Sequence, residues 1–267
     1  MRFSIVKAYL QHQWRVRRPI QSDSPFVISF LEQVLPHEHS LWGEKVERLR
    51  RQLATDKTTL LHFEDLGAGS ANSGPQQISR SLAYLAQHSA RRYREGELLY
   101  RICQYYQPKR CLEFGTNLGI STLYQAGALE DSRFVSMEGA PSLATLAERH
   151  LQDFGLDQIE ILVGEFSALF EERLSLETLR PDYVFVDGNH RYQPTIDYFE
   201  RLLPHMSKGG IMIFDDINWS EGMQAAWHEI VSHPAVSISF DGFMMGVCFV
   251  KMEHPKEHYL LPYWPFS

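Results

Sequence analysis

The order of apolar and polar residues changes character near residue 106. Before that point, apolar positions recur at helical spacing in segments such as SLWGEKVERLRRQLA, ISRSLAYLAQHS and GELLYRICQYY. A further run, FVISFLEQVL, follows Ser24 and Pro25, which suit the cap and the first turn of a helix. The pattern predicts a helical N-terminal extension over residues 1–105, which we expect to cover a ligand site.

From Lys109 onward, short runs rich in β-branched and aromatic residues alternate with helical stretches. The strand-like runs are CLEF, FVSME, IEILV, DYVFVD and IMIFDD. Strands that alternate with helices form a parallel sheet with helices on both faces. Two more runs, VSISFDGF and MMGVCFVK, meet at Asp241-Gly242, which is typical of an antiparallel hairpin. Residues 106–267 are therefore predicted to form an α/β domain, doubly wound, with a mostly parallel seven-stranded sheet that ends in this hairpin. The tail EHYLLPYWPFS is expected to be an apolar strap or a subunit contact.

Composition excludes several classes of protein. A net charge of −7 and an isoelectric point near 5.9 argue against a nucleic-acid partner. No apolar run is long enough for a membrane span, and the N-terminus lacks the apolar core of a signal peptide. The three cysteines have no metal-binding spacing, and their odd number suits a reducing compartment. A cytoplasmic location is expected.

The N-terminal segment is basic, although the chain as a whole is acidic. Five basic residues precede the first acid, Asp23; they are Arg2, Lys7, Arg15, Arg17 and Arg18. This basic arm would suit an acidic partner or a lipid surface, although a solvated helix end is the commoner explanation.

The segment CLEFGTNLGIS has the form of a strand, a glycine turn and a helix start. Gly115 would let the chain turn sharply, and Gly119 would remove a side chain where a ligand approaches the helix N-terminus. The backbone amides there would hold a ligand carboxylate, with help from Thr116, Asn117 and Ser121. Glu113, at the strand end, would accept a hydrogen bond from a ligand ammonium group.

The next predicted strand ends in Glu138, nineteen residues after Gly119. An acid at this distance and position suits hydrogen bonds to a ribose diol. A glycine turn alone is equally typical of a structural strand–helix connection. The turn, the acid and the order of elements together favour a nucleoside-containing cofactor.

These features resemble motifs I and II of the class I S-adenosylmethionine-dependent methyltransferases, which have a Rossmann-like fold. The resemblance covers about residues 100–252 and implies S-adenosylmethionine as cofactor and methyl transfer to a small-molecule acceptor, at oxygen. It implies that the residues around the methionine part are Glu113, Gly115, Thr116, Asn117, Gly119 and Ser121. Glu138 and Gly139 would bind the ribose, and Gly164, Glu165 and Phe166 would flank the adenine.

A second glycine-rich segment, FEDLGAGSANSG, also looks like a methyltransferase loop. Asp65, Gly67 and Gly69 occupy the first positions of such a motif. The third glycine position, however, holds Ala71, and the sequence that follows is helical. We expect a loop or lid over the site rather than the part that holds the methionine carboxylate.

Acidic residues also follow the fourth and fifth predicted strands. Asp187 and His190 follow DYVFV, and Asp215 and Asp216 follow IMIF. Ligands collect at the carboxyl ends of parallel strands, and carboxylate oxygens suit Mg²⁺. We therefore expect a metal site made of Asp187, Asp215 and Asp216, with His190 as the catalytic base and Asp187 as a second catalytic residue.

This arrangement resembles the catechol-type and cephamycin-pathway O-methyltransferases. In the catechol enzymes the metal ligands are Asp, Asp and Asn, and a lysine follows the first by three residues. Here Asp216 stands in the Asn position and His190 in the lysine position, so the sequence departs from the catechol-type pattern at two positions. Asp187 would otherwise bind the adenosyl group, and Asp215 and Asp216 would otherwise cap a helix.

Two other classes of protein remain as alternatives. A nicotinamide-dependent dehydrogenase also uses a glycine turn and a ribose acid, but G-x-G-x-x-G is absent at Gly115. A non-catalytic protein of the same fold would bind the cofactor without methyl transfer. A homo-oligomer is also compatible with the sequence.

Overall fold

The computed structural model describes residues 3–16, 20–35, 39–65, 76–90, 92–172 and 176–262. The chain divides into two compact units, one made of Met1–Gln21 with Leu176–Ser267, the other of Ser22–Ser175. The boundary expected near residue 105 stays a prediction. Within the described ranges, no helix is long and apolar enough to cross a membrane.

The elements follow one another along the chain. The helices are α1 (Phe3–Arg15), α2 (Pro25–Ser29), α3 (Leu41–Leu53), α4 (Leu82–His88), α5 (Tyr93–Tyr106), α6 (Ile120–Ala126), α7 (Pro141–Asp153), α8 (Phe166–Glu172), α9 (Leu176–Leu179), α10 (Tyr192–Leu202) and α11 (Glu221–Ser232). A π-helical turn over Phe30–Val34 continues α2, and a 3₁₀ turn over Leu203–His205 continues α10. The strands are β1 (Leu60–Asp65), β2 (Gln76–Ser81), β3 (Arg110–Phe114), β4 (Arg133–Glu138), β5 (Glu160–Val163), β6 (Tyr183–Val186), β7 (Gly210–Phe214), β8 (Val236–Asp241), β9 (Gly246–Val250) and β10 (Glu257–Leu260).

The unit Ser22–Ser175 contains residues 22–105 of the predicted helical extension and the first part of the α/β pattern. The predicted helix start at Ser24 is confirmed, because the Ser24 hydroxyl accepts from the Val27 amide at 3.4 Å and Pro25 occupies the first turn. Helix α3 begins in the same way, since Ser40 Oγ accepts from the Gly43 amide at 2.8 Å. Side-chain caps of this kind satisfy backbone amides that have no partner within the helix.

Strands β3, β4 and β5 of this unit run parallel to one another. The side chains of β3 and β4 are mainly buried, as expected for strands covered by helices on both faces, whereas only Leu162 is buried in β5. The register pairs Glu113 with Ser136 and Glu138 with Val163, so both acids lie at the carboxyl ends of their strands.

The extension is helical but also contains an antiparallel pair, β1 with β2, which the sequence did not lead us to expect. These strands flank the second glycine-rich segment. Residues 66–75 of that segment lie outside the described part of the chain, so its expected role as a loop or lid stays a prediction.

The other unit contains the later strands. Strand β6 pairs with β7 in parallel, and the predicted hairpin is confirmed because β9 lies antiparallel to both β7 and β8. The fold class is therefore α/β, with mostly parallel strands that end in an antiparallel hairpin. Among the described residues, β10 of the tail expected to form a strap pairs with β8 in parallel and adds an eighth strand to the seven predicted.

Candidate cofactor turn and acidic cluster

The glycine turn between β3 and α6 depends on three residues with positive φ. Gly115 has φ 88°, Asn117 has φ 49° and Gly119, the N-cap residue of α6, has φ 76°. Glycine adopts this conformation without the steric cost that a Cβ atom brings. The amides of Gly115 and Thr116 both donate to the Met137 carbonyl, at 2.9 and 3.2 Å, so the turn is tied to β4.

Gly119 also lies against helix α7. A Cβ atom at this position would be 3.3 Å from the Cβ of Ala147 and 3.5 Å from its Cα. A side chain here would therefore crowd α7. The ligand approach that we expected at Gly119 stays a prediction.

Glu113 is completely buried at the end of β3 and accepts four side-chain hydrogen bonds. Ser121 Oγ and Gln125 Nε2 donate to its Oε1, at 2.7 and 2.6 Å, while Thr122 and Ser136 donate to its Oε2. Burial raises the pKa of Glu113 to about 7, against the opposing effect of these four hydrogen bonds.

Three of the four donors to Glu113 belong to α6. A carboxylate has about four acceptor positions, and these side chains match that number. The geometry therefore favours Glu113 as an anchor that fixes α6 on β3. The role first assigned to it, acceptance from a ligand ammonium group, stays a prediction.

Glu138 lies at the end of β4 and is held by the backbone around it. Its Oε2 accepts from the Asn117 amide at 2.7 Å, and its Oε1 accepts from the Ala140 amide at 2.9 Å. These bonds orient the carboxylate between the glycine turn and the start of α7. Beside it, Asn117 Oδ1 is buried and has no hydrogen-bond partner among the described residues.

The segment after β5 has a structural role that the sequence did not indicate. Gly164 has φ 154°, and its amide donates to the Glu138 carbonyl at 2.9 Å. Glu165 Oε2 accepts from the Ala168 amide at 3.0 Å, and Phe166 packs edge-to-face on Phe114 at 5.4 Å. Their proposed contacts with an adenine stay predictions.

The other unit places ionisable side chains together after β6 and β7. Asp187, His190 and Asp215 each offer a ligand atom, and these atoms all lie within 4.8 Å of one another. His190 Nε2 lies 3.5 Å from Asp187 Oδ1 and 3.8 Å from Asp216 Oδ2. Asp215 is only 1% exposed, whereas the others are partly exposed. We call these four residues the acidic cluster.

The acidic cluster differs from the expected metal site in one respect. The sequence led us to expect Asp216 as the third ligand, whereas the ligand-like grouping contains His190. Asp216 has φ 53° and stands outside this grouping, and its expected role as a metal ligand stays a prediction. His190 lies near both Asp187 and Asp216, an arrangement that the sequence did not indicate.

A known protein family matches the part of the chain that contains these residues. A family described as a methyltransferase domain matches residues 112–217, which run from within β3 to just beyond β7. This range contains both the glycine turn and the acidic cluster. Residues 112–217 are therefore similar to a methyltransferase domain. The class I S-adenosylmethionine-dependent family resemblance noted in the sequence is thereby confirmed for this part of the chain.

Individual relatives agree with the domain assignment. A catechol O-methyltransferase of Niastella koreensis is 27% identical over 125 residues, which are 46% of this chain and 56% of that protein. A catechol O-methyltransferase of Mycobacterium tuberculosis is 28% identical over 139 residues, 49% of this chain and 58% of that protein. The chain thus matches little more than half the length of these curated relatives.

The fold has relatives among solved structures. The O-methyltransferase TomG from Streptomyces achromogenes, solved in complex with S-adenosylmethionine, gives a TM-score of 0.56 at 19% identity. The match covers 84% of this chain and 96% of TomG. At this level of identity the similarity shows the fold alone.

Proposed function

We propose that this protein is an S-adenosylmethionine-dependent O-methyltransferase that acts on a small hydroxyl-containing molecule. The observation that carries the proposal is the turn between β3 and α6, in which a ribose-type acid, Glu138, is fixed by the Asn117 amide. The methyltransferase-domain match and the catechol O-methyltransferase relatives support the reaction type.

The residues of the turn suit the cofactor. Asn117 Oδ1 is buried without a hydrogen-bond partner among the described residues, and a ligand ammonium or hydroxyl would supply one. Gly119 has no side chain to accept from the first-turn amides of α6, so a ligand carboxylate would serve there. Glu138, oriented by two amides, would accept from ribose hydroxyls.

The chain's contribution to the reaction is to bind and deprotonate the acceptor. Bound S-adenosylmethionine would supply an electrophilic methyl group. His190 Nε2 would take the proton of the acceptor hydroxyl. Asp187 and Asp216, 3.5 and 3.8 Å from that nitrogen, would stabilise the resulting imidazolium.

Alternatively, the acidic cluster would bind a divalent cation. Asp187, Asp215 and His190 would hold it, and it would make the acceptor hydroxyl more acidic. Mg²⁺ prefers oxygen ligands, whereas the imidazole nitrogen better suits a transition metal. His190 cannot serve both as metal ligand and as base, so the two uses exclude each other.

Titration calorimetry tests the cofactor assignment. We expect binding of S-adenosylmethionine or its demethylated product, and no comparable binding of NAD. Glu138→Ala should weaken binding about tenfold or more, because charged hydrogen bonds contribute roughly 1.5–3 kcal/mol each. Glu160→Ala, at an acid that is 52% exposed on β5, is the matched control and should bind normally. Tight NAD binding with none for the methyl donor would refute the assignment.

Chelation tests the metal. If the cluster binds a cation that the reaction requires, EDTA should abolish methyl transfer to a catechol panel, and Mg²⁺ or Mn²⁺ should restore it. Asp215→Asn should then weaken activation by metal. Unchanged activity after chelation would exclude the metal and leave His190 as the base. Cofactor binding without transfer to any acceptor would instead support the non-catalytic alternative.

A further inference from the structure

Helix α1 is held on its unit by one face. Ile5 and His12 are buried, and His12 Nε2 lies 2.8 Å from the Leu261 carbonyl oxygen. The rings of Tyr9 and His12 both pack against Phe243, with centroid distances of 5.4 and 5.3 Å. These contacts fix which side of the helix faces outward.

The outward side of α1 presents an apolar stripe. Val6, Leu10 and Trp14 are 40%, 62% and 70% exposed. They are spaced four residues apart, so they lie one above another on the helix surface over about 12 Å. Burying a large apolar side chain is favourable, and three exposed ones in a row mark a surface that has a partner.

Basic residues lie next to this stripe. Lys7 and Arg15 are exposed on α1 beside it. The first 22 residues of the sequence contain five lysines and arginines and no acid, although the whole chain has a net charge of −7. A helix with an apolar stripe beside a basic stripe is the form that lies flat on an anionic lipid surface.

We propose that α1 docks the protein on an anionic membrane surface, with Val6, Leu10 and Trp14 inserted at the level of the headgroups. A second copy of the chain is the competing occupant. In a two-fold dimer across this stripe the same basic segments would face each other, within the range where charges repel at physiological salt. An anionic membrane instead attracts them.

Co-sedimentation of the full chain with vesicles tests the proposal. Phosphatidylcholine vesicles containing phosphatidylglycerol should bind the protein, and vesicles of phosphatidylcholine alone should bind it far less. The double variant Leu10→Ser with Trp14→Ser should lose binding at least tenfold. Lys7→Glu should reduce binding by roughly fivefold or more, and added NaCl should weaken the binding of the wild type.

The control is Leu41→Ser, which removes an apolar side chain that is 84% exposed in the other unit. It should bind vesicles as the wild type does. No binding of the wild type to anionic vesicles would overturn the proposal, as would equal binding to both vesicle types. A concentration-dependent dimer that the double variant abolishes, without vesicle binding, would assign the stripe to a second copy. Because α1 lies outside the cofactor turn and the acidic cluster, cofactor affinity should not change in the α1 variants.

Discussion

Two glycines with nearly the same backbone conformation differ in what surrounds them. Gly119 has φ 76° and Gly155 has φ 73°. A Cβ atom at Gly119 would contact Ala147, whereas nothing lies within 4 Å of a Cβ atom at Gly155. Replacing each by alanine therefore separates the cost of the backbone conformation from the cost of packing.

The expected costs follow from these surroundings. A left-handed conformation costs an alanine about 1 kcal/mol or slightly more, and both variants should show this loss in free energy of unfolding. Only Gly119→Ala also brings two Cβ atoms to 3.3 Å, inside the optimal carbon–carbon separation of about 3.5–4.0 Å. Overpacking of this kind adds about 1–2 kcal/mol, so Gly119→Ala should lose about 2–3 kcal/mol in all.

Urea unfolding at one pH measures both losses, and calorimetry measures cofactor affinity. We expect Gly119→Ala to be the less stable variant and to bind S-adenosylmethionine more weakly, because α7 begins two residues after Glu138-Gly139 and its displacement would disturb that segment. Gly155→Ala should bind normally. Equal losses of stability, to within about 0.5 kcal/mol, would refute the packing argument.

Two further predictions concern buried hydrogen bonds. Burial raises the pKa of Glu113 to about 7, so its contribution to stability is present at low pH and is lost as pH rises through that value. Between pH 6 and pH 8 the unfolding free energy of the wild type should therefore fall by about 1 kcal/mol relative to Glu113→Gln, and parallel pH profiles would contradict this. Trp42 Nε1 donates to the Leu123 carbonyl at 2.7 Å, and Trp42→Phe should cost about 1–2 kcal/mol in urea unfolding. Trp14→Phe, at a 70% exposed position, is its control and should change stability by less than about 0.5 kcal/mol; similar losses in both would count against the hydrogen bond.

The order of strands and helices from β3 to β9 was predictable because each strand is a short, nearly continuous apolar run between helical stretches. Strand β10 was not, since Glu257–Leu260 is short, half polar and followed by aromatic residues typical of a strap. The β1–β2 pair was also missed. Its strands, LLHFED and QQISRS, have a mixed polar composition and form a ribbon of only two strands.

The acids at the strand ends were predictable as a group, but their partners were not. Glu113 depends on Ser136 and Gln125, which lie 23 and 12 residues away in the sequence. No spacing rule connects a strand residue to donors on another strand and on the second turn of a helix. Likewise, the sequence did not show that Asp216 has a positive φ, which sets the position of its side chain relative to that of Asp215.

Helix α6 has no exposed residue, and partners hold it on more than one side. Glu113 binds it from β3, while Trp42 and Glu47 of α3 bind the Leu123 carbonyl and the Tyr124 hydroxyl. Amide hydrogens of such a helix exchange with solvent only when a large part of the unit opens. The turn that we propose for the cofactor is therefore ordered before any ligand arrives, and little of the free energy of cofactor binding would be spent on ordering it. A ligand that fits only when this turn widens should therefore bind weakly, because the turn is held in one conformation.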